Sequence, residues 1–250
     1  MIAALLIGRE GSLGFPGKNT SLVLGRPLMA YPLLAARHAR AVDEIYVSTD
    51  SPRIREIAKE HGAILIDRPS ELCTATALGE DAYVHGYKHI RDVLKKEIDF
   101  MVLLFCNGPT LLAQTIDEGI ETLRQDRNLD SAVTVSRYNM WSPLRARKVS
   151  SDGLLQPFVP FETFGDPKML NCDRDSQGDV WFADMSVSIV RPRCLDVLYE
   201  GMLPQKWMGR CIYPLKQWGG LDVDYDWQVP QVEFWLRKHG FSETATPYDR

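Results

Sequence analysis

Short apolar runs alternate with longer amphipathic segments along most of the chain. An apolar run suits a strand that is buried on both faces, whereas apolar residues recurring every three or four positions suit a helix. The predicted strands are 2–8, 44–50, 63–66, 99–104, 131–136, 184–190 and 210–215, and the predicted helices are 29–41, 53–61, 79–96, 113–126, 193–201 and 227–239. This alternation predicts an α/β fold built on a doubly wound, mostly parallel sheet. In such sheets ligands bind at the carboxyl ends of the strands.

The pattern loosens between residues 137 and 180, where prolines and aromatic residues such as Trp141, Phe158 and Phe161 accumulate. Loop-like sequence in a monomer rarely needs so many aromatic side chains, so this stretch is expected to meet a partner. We interpret 1–250 as a single domain from which 137–180 projects as a small excursion.

The composition is that of an ordinary globular protein, with 45% hydrophobic and 25% charged residues. A net charge of −4 gives no broad basic face for nucleic acid. The first apolar run is too short for a signal peptide or a membrane span, so no membrane association is expected. Five scattered cysteines without a C-x-x-C pair disfavour a zinc site and predict reduced thiols in the cytoplasm.

The loop 9–19 follows the first strand directly and reads REGSLGFPGKN. Its glycines allow backbone N–H groups to approach a ligand closely, and Arg9 and Lys18 place a positive charge at each end. This is the chemistry that holds a triphosphate, although the loop matches neither the Walker A pattern nor G-x-G-x-x-G. The alternative is an ordinary glycine-rich surface turn.

A second candidate site is the pair Asp222 and Asp224, which lies shortly before the last predicted helix. On an extended segment, residues two apart point the same way, so the two carboxylates could hold Mg²⁺ together with phosphate oxygens. The alternative is a pair of turn aspartates that cap the helix. Asp226 is expected to be such a cap.

The loop 9–19 resembles the first motif of the sugar-acid cytidylyltransferases, typified by CMP-sialic acid synthetase, which reads approximately A-R-x-G-S-K-G-x-P-x-K-N. The positions in register are Arg9, Gly11, Ser12, Gly14, Pro16, Lys18 and Asn19. The family also carries a Ser-Thr-Asp like residues 48–50, an R-P-x-x-L segment like residues 68–72, and an I-D-I-D like residues 221–224.

The resemblance implies a Rossmann-like nucleotidyltransferase fold. It also implies transfer of CMP from CTP to the anomeric hydroxyl of a 2-keto-3-deoxy sugar acid of the sialic-acid type, with release of pyrophosphate. Mg²⁺ would be the cofactor, and the excursion at 137–180 would form a homodimer contact.

The family's residue roles carry over position by position. The implied nucleotide-binding residues are Arg9, Gly11, Ser12, Lys18, Asn19, Arg68 and Ala77, with Arg68 and a backbone group of Ala77 reading the cytosine base. The implied substrate-binding positions are Phe105, Asn107 and Trp207. The implied metal ligands are Asp222 and Asp224, which together with Lys18 are the candidate catalytic residues.

Several positions depart from the family pattern, among them Leu13, Ala75 and Phe105. Leu13 replaces a lysine that normally faces the phosphates, Ala75 replaces an aspartate, and Phe105 replaces a glutamine that touches the sugar acid. These departures keep open a nucleotide-binding homologue with lost or altered turnover. A metal-dependent glycosyltransferase with a D-x-D motif is another alternative, although that motif normally lies in the middle of the chain.

Overall fold

The computed structural model describes residues 1–12 and 14–249, so Leu13 and its departure from the family pattern lie outside the described residues. The strands are β1 (Ile2–Ile7), β2 (Leu22–Val23), β3 (Arg26–Pro27), β4 (Glu44–Thr49), β5 (Ile64–Asp67), β6 (Phe100–Phe105), β7 (Ser131–Arg137), β8 (Arg147–Val149), β9 (Leu155–Pro157), β10 (Trp181–Val190) and β11 (Ile212–Gln217). The α-helices are α1 (Ala30–His38), α2 (Pro52–Glu60), α3 (Gly79–Lys88), α4 (Ala113–Gln125), α5 (Pro192–Asp196) and α6 (Val229–Lys238).

Seven strands form one sheet in the order β11-β7-β10-β6-β1-β4-β5. Every neighbouring pair is parallel except those of β10, which runs antiparallel to both β6 and β7. The prediction of an α/β fold with a mostly parallel sheet is therefore confirmed. β1 lies inside the sheet between β6 and β4 and is buried along its whole length, as its uninterrupted apolar sequence requires.

The register brings three strand ends together. Ile7 at the end of β1 pairs with Ser48 of β4 on one side and with Phe105 of β6 on the other. The loops that follow these strands therefore start from one edge of the sheet, where an open α/β sheet binds its ligands.

Helices cover both faces of the sheet. Side chains of α1, α2 and α4 pack on one face, and those of α3 and α5 pack on the other. A third apolar cluster joins α6 to the β2–β3 hairpin and includes Val223, which is fully buried. The segment that carries Asp222 and Asp224 is thus anchored in the core by the residue between them.

Some helix ends differ from the predictions. The helix predicted at 79–96 is α-helical only to Lys88 and continues as a π-helical turn at His89–Val93. The prediction that Asp226 caps the last helix is wrong, because the residue directly before α6 is Gln228, and Asp226 lies in a 3₁₀ turn (Asp226–Gln228) that precedes the helix. Its Oδ1 accepts the N–H of the adjacent Trp227 at 2.8 Å, while Gln228 Oε1 accepts the N–H groups of Asp224 and Tyr225.

The excursion at 137–180 leaves the sheet after β7 and returns at β10. It contains the β8–β9 hairpin and several short 3₁₀ turns, and many of its apolar side chains are exposed. Within residues 1–12 and 14–249, no helix combines the length and the apolar character needed to cross a membrane.

Candidate functional site

A cavity of about 250 Å³ opens where the ends of β1 and β6 meet the segment after β11. The predicted site residues that line it are Arg9, Lys18, Asn19, Arg68, Ala77, Phe105, Asn107, Asp222 and Asp224. A larger cavity of about 690 Å³ lies beside β11 and α6, but its lining, which includes five aromatic residues, carries no carboxylate. The smaller cavity therefore holds the charged groups that chemistry requires.

Hydrogen bonds fix both ends of the loop 9–19. The carboxylate of Asp50, just beyond β4, accepts the Glu10 N–H at 2.9 Å. The Asn19 side chain donates to the Arg9 carbonyl at 3.4 Å, so the two ends of the loop are tied to each other. Gly17 adopts a left-handed φ of 72° that lets the chain turn into the 3₁₀ segment starting at Lys18.

Gly14 brings the loop against the acidic segment. A Cβ atom at this position would lie only 2.8 Å from the Asp224 carbonyl oxygen. Glycine is therefore required here for close packing of two backbones, and the loop and the carboxylate pair form one structural unit.

The carboxylate pair is oriented by its neighbours. Val223 is buried, and its backbone pairs with Asn107: the Val223 N–H donates to the Asn107 carbonyl at 2.8 Å, and the Asn107 side chain donates to the Val223 carbonyl at 3.0 Å. Because the chain is held like a strand, Asp222 and Asp224 both line the cavity. Asn107, expected to contact substrate, also holds this segment in place.

The two carboxylates differ electrostatically. Burial, followed by the negative charge of Asp224, raises the pKa of Asp222 from 3.8 to about 6. Asp224 is more exposed, and its Oδ1 accepts a charged hydrogen bond from Lys18 Nζ at 2.6 Å. Sequence reasoning assigned Lys18 to phosphate and missed this ion pair.

The donor set suits a hard divalent cation. Asp222 and Asp224 offer carboxylate oxygens, the ligands that Mg²⁺ prefers, and their mutual repulsion is what a cation would relieve. Within the described part of the chain, no three His, Cys, Asp or Glu side chains are grouped as a metal site. A cation held by this pair would take its other ligands from water or from phosphate oxygens.

Arg68 lies on the other side of the cavity and is fixed by Ser48. Its Nε donates to the Ser48 hydroxyl at 3.2 Å, and its Nη2 donates to the Ser48 carbonyl. Burial lowers the pKa of the guanidinium, which nonetheless stays charged at neutral pH. Ser48 thus positions Arg68, and Asp50 positions the loop 9–19. The sequence shows that the second predicted strand ends in polar residues, but it does not show which groups they bind.

The remaining wall of the cavity is apolar. Phe105 lines it and packs edge-on against Tyr83 and Trp207, at centroid distances of 5.2 and 6.1 Å. Trp207 itself is only 6% exposed and does not line the cavity, so the structure does not bring it together with the other predicted site residues, and its contact with substrate stays a prediction. An aromatic residue in loop-like sequence can pack in the core or contact a ligand, and Trp207 packs in the core.

Two further loop residues stand apart from the cavity walls. Gly11 is exposed with a left-handed φ of 74°, and Ser12 is half-buried. Neither lines the cavity, so the structure brings Arg9 and Lys18 to the site but leaves these two at its approach.

We expect Asp222→Asn to stabilise the ligand-free protein at neutral pH. The folded chain holds the Asp222 proton more tightly than the unfolded chain, since its pKa of about 6 lies above the ordinary 3.8. Ionisation therefore lowers the free energy of unfolding as the pH rises between these two values, and the penalty is absent below them. The gain should be about 1–3 kcal/mol at neutral pH and should vanish towards pH 4.

Urea denaturation in a chelator at several pH values measures this gain. Asp226→Asn is the matched control, because Asp226 is exposed and does not line the cavity. An increase in the free energy of unfolding that is equal at low and neutral pH, or that the control variant also shows, would contradict the electrostatic explanation.

The sequence has relatives among known proteins. Residues 3–151 match the sequence model of a family described as Cytidylyltransferase. The CMP-N,N'-diacetyllegionaminic acid synthase of Legionella pneumophila is 32% identical over 161 residues, covering 62% of this chain and 65% of that protein. The N-acylneuraminate cytidylyltransferase of Escherichia coli is 29% identical over 140 residues, covering 55% of this chain and 32% of that protein.

Solved structures show the same fold. A CMP:2-keto-3-deoxy-manno-octonic acid synthetase complexed with CTP superposes with a TM-score of 0.67 at 16% identity, covering 95% of this chain and 98% of the other. A 4-diphosphocytidyl-2C-methyl-D-erythritol synthase gives a TM-score of 0.63 at 11% identity, covering 94% and 98%. The likeness to cytidylyltransferases of known structure confirms the nucleotidyltransferase fold.

The aligned segment covers less than two thirds of the length of these curated relatives. The family match ends at residue 151, so it includes the loop, Arg68 and Phe105 but not the carboxylate pair, whose role depends on the geometry of the cavity. Because the matched residues make up more than half of the chain, the chain belongs to the cytidylyltransferase family.

Proposed function

We propose that this chain transfers CMP from CTP to the anomeric hydroxyl of a 2-keto-3-deoxy sugar acid and releases pyrophosphate. The observation that carries the proposal is a single cavity that gathers Arg9 and Lys18 from the first loop, Arg68 from the segment after β5, and the Asp222–Asp224 pair. These are two cations for a triphosphate, a planar donor for a base and two carboxylates for Mg²⁺.

In the transfer, the anomeric oxygen attacks the α-phosphorus and its proton passes to solvent water, while the bond between the α-phosphorus and the oxygen bridging to the β-phosphate breaks and pyrophosphate leaves. Arg9 and Lys18 would hold the β- and γ-phosphates and stabilise the negative charge of the departing pyrophosphate. Asp222 and Asp224 would hold Mg²⁺, which supplies neutralisation of charge on the phosphate oxygens when bound. Catalysis by these residues is mainly positioning and electrostatic stabilisation.

Cytosine recognition falls to Arg68 and to the backbone of Ala77, which line the same cavity. Cytosine presents acceptors at O2 and N3, which suit the guanidinium, and its N4 amino group suits a backbone carbonyl. Since Ser48 already binds two of the Arg68 nitrogens, the side chain is held ready to read a base. Uracil carries a donor at N3 and would fit this arrangement less well.

The function is tested by measuring pyrophosphate release from CTP with a panel of 2-keto-3-deoxy sugar acids in the presence of Mg²⁺. We expect release with at least one acid, a strong preference for CTP over UTP, and loss of release in chelator. If CTP binds but no acid leads to pyrophosphate release, the result would favour the alternative of a nucleotide-binding homologue. Phe105 motivates this alternative, because it places an apolar side chain where the family has a polar contact. Absence of CTP binding would overturn the proposal.

We expect Arg9→Ala and Lys18→Ala each to weaken CTP binding by about 1.5–3 kcal/mol, the range of a lost charged hydrogen bond. Both cations line the cavity, and Lys18 can exchange its Asp224 partner for a phosphate. Isothermal titration calorimetry measures the affinity, with Lys59→Ala on the exposed surface of α2 as the control. Unchanged affinity in both loop variants would remove the loop from the nucleotide site.

The excursion supports a proposed homodimer. Val149, Leu155 and Phe158 of the β8–β9 region are 70%, 71% and 63% exposed, a density of exposed apolar side chains that is typical of an interface. A two-fold axis would let the same segment of each subunit contact the other. A cytoplasmic location stays a prediction.

Light scattering at micromolar concentration should therefore give a dimer of this 28.4 kDa chain. Leu155→Asp combined with Phe158→Asp should shift the protein to monomer, because two buried charges at an interface oppose association. Tyr199→Asp, at an aromatic residue that is 78% exposed elsewhere, is the control. A wild-type monomer would rule out this role for 137–180.

A further inference from the structure

A buried carboxylate outside the cavity calls for an explanation. Asp184 of β10 is only 5% exposed, and the ion pairs of the described residues include none with Asp184. Its oxygens accept hydrogen bonds from Ser136 Oγ at 2.7 Å, from Gln217 Nε2 at 2.9 Å and from the Ser186 N–H at 3.2 Å. Burying a charge among neutral donors is costly, so this arrangement is expected to serve a purpose.

The charge of Asp184 sets the direction of the hydrogen bonds around it. An ionised carboxylate only accepts, so the single hydroxyl proton of Ser136 must point to Asp184. The lone pairs of Ser136 Oγ are then free to accept the Gly220 N–H, which lies 2.8 Å away. A chain of directed bonds thus leads from Asp184 to the backbone two residues before Asp222.

A second branch reaches the next residue of the same segment. Gln217 bridges from Asp184 to Ser186 Oγ at 3.0 Å, and Ser186 Oγ lies 2.9 Å from Thr110 Oγ1. Thr110 Oγ1 accepts the Leu221 N–H at 2.9 Å and donates to the Leu221 carbonyl at 3.1 Å. Two successive residues before Asp222 are therefore held by side chains rather than by a neighbouring strand.

The packing at Gly220 shows how closely Asp184 of β10 approaches the backbone of the segment before Asp222. A Cβ atom at this glycine would lie 2.3 Å from Asp184 Oδ2 and 2.3 Å from Gln217 Nε2. Asp184 reaches this point because β10 bulges away from β7 between Ala183 and Ser188. The bulge itself is bridged separately by Thr134, whose hydroxyl exchanges hydrogen bonds with the Val187 backbone at 3.1 and 3.2 Å.

We propose that Asp184 is a positioning residue: through Ser136 and Gln217 it fixes the backbone at 220–221 and thereby the placement of the Asp222–Asp224 pair against Mg²⁺ and the nucleotide. The inference deepens the proposed function and depends on it for the identity of the ligand. Asp184 does not line the cavity, so its effect on binding is exerted through the segment that it holds.

Asp184→Asn tests this role, because one of the two accepting oxygens becomes an NH₂ donor. In one orientation of the amide this donor faces Ser136 and Gln217, and in the other it faces the Ser186 N–H, so either orientation sets a donor against a donor. In calorimetric titrations we expect CTP affinity in chelator to stay within about twofold of wild type. The additional affinity that Mg²⁺ confers should fall by about tenfold, the scale of losses when the groups that orient metal ligands are removed. Ser136→Ala should act in the same direction.

Thr134→Val is the matched control, because Thr134 is equally buried in β7 and bonds the same bulge but not the 220–221 backbone. It should leave the Mg²⁺-dependent gain unchanged. Hydrogen exchange of the ligand-free protein gives an independent readout: the amides of Gly220 and Leu221 should exchange faster in Asp184→Asn and in Ser136→Ala, but not in Thr134→Val.

Wild-type exchange at Gly220 and Leu221 in both Asp184→Asn and Ser136→Ala, or equal loss of the Mg²⁺ effect in Thr134→Val, would overturn the proposal. If Asp184→Asn does not fold, Ser136→Ala decides by the same two measurements. If the wild-type protein binds no CTP, the proposed function fails, while the exchange measurement still decides whether Asp184 holds this segment.

Discussion

The site depends on holding two like charges side by side next to a cation. Burial and, after it, the negative charge of Asp224 raise the pKa of Asp222, so the cost of holding the two carboxylates together is visible in that shift. Lys18, 206 residues away in sequence, partly offsets that repulsion by its 2.6 Å hydrogen bond to Asp224. The loop 9–19 and the acidic segment are therefore coupled before any ligand is present, and under the proposed function a bound metal and triphosphate would replace this pairing with stronger ones.

The rest of the structure keeps these charges in place. The central sheet brings the ends of β1, β4 and β6 to one edge, where Ser48 of β4 fixes Arg68 and Asp50, just beyond β4, fixes the Glu10 N–H of the loop 9–19. Within residues 1–12 and 14–249 the acidic segment pairs with no strand, and Asn107 and the Asp184 network supply its hydrogen bonds. Buried polar groups that are satisfied in this way make a segment rigid, whereas unsatisfied ones would destabilise it.

Much of the fold could be predicted because its signals are local. Uninterrupted apolar runs gave the strands of the sheet, and a glycine-rich loop between two cations marked one wall of the cavity. The role of Val223 also follows from a local pattern, because an apolar residue between two acids on an extended segment points away from them.

Other features could not be predicted because they depend on tertiary contacts. The Lys18–Asp224 ion pair and the hydrogen bonds of Asp184 join distant parts of the chain, and nothing in their local sequence indicates a partner. Trp207 illustrates the converse problem: an aromatic residue in irregular sequence looks the same whether it will stack on a ligand or, as here, support Phe105 from behind.

The most direct test of a joint metal and nucleotide site is a crystal structure with CTP and Mn²⁺, a paramagnetic substitute for Mg²⁺ whose anomalous scattering locates it. We expect the anomalous peak to lie between the carboxylates of Asp222 and Asp224 and the phosphate oxygens, with Lys18 turned from Asp224 to the phosphates. A metal bound away from these carboxylates, or CTP bound while Lys18 and Asp224 keep their ion pair, would contradict the assignment of this cavity.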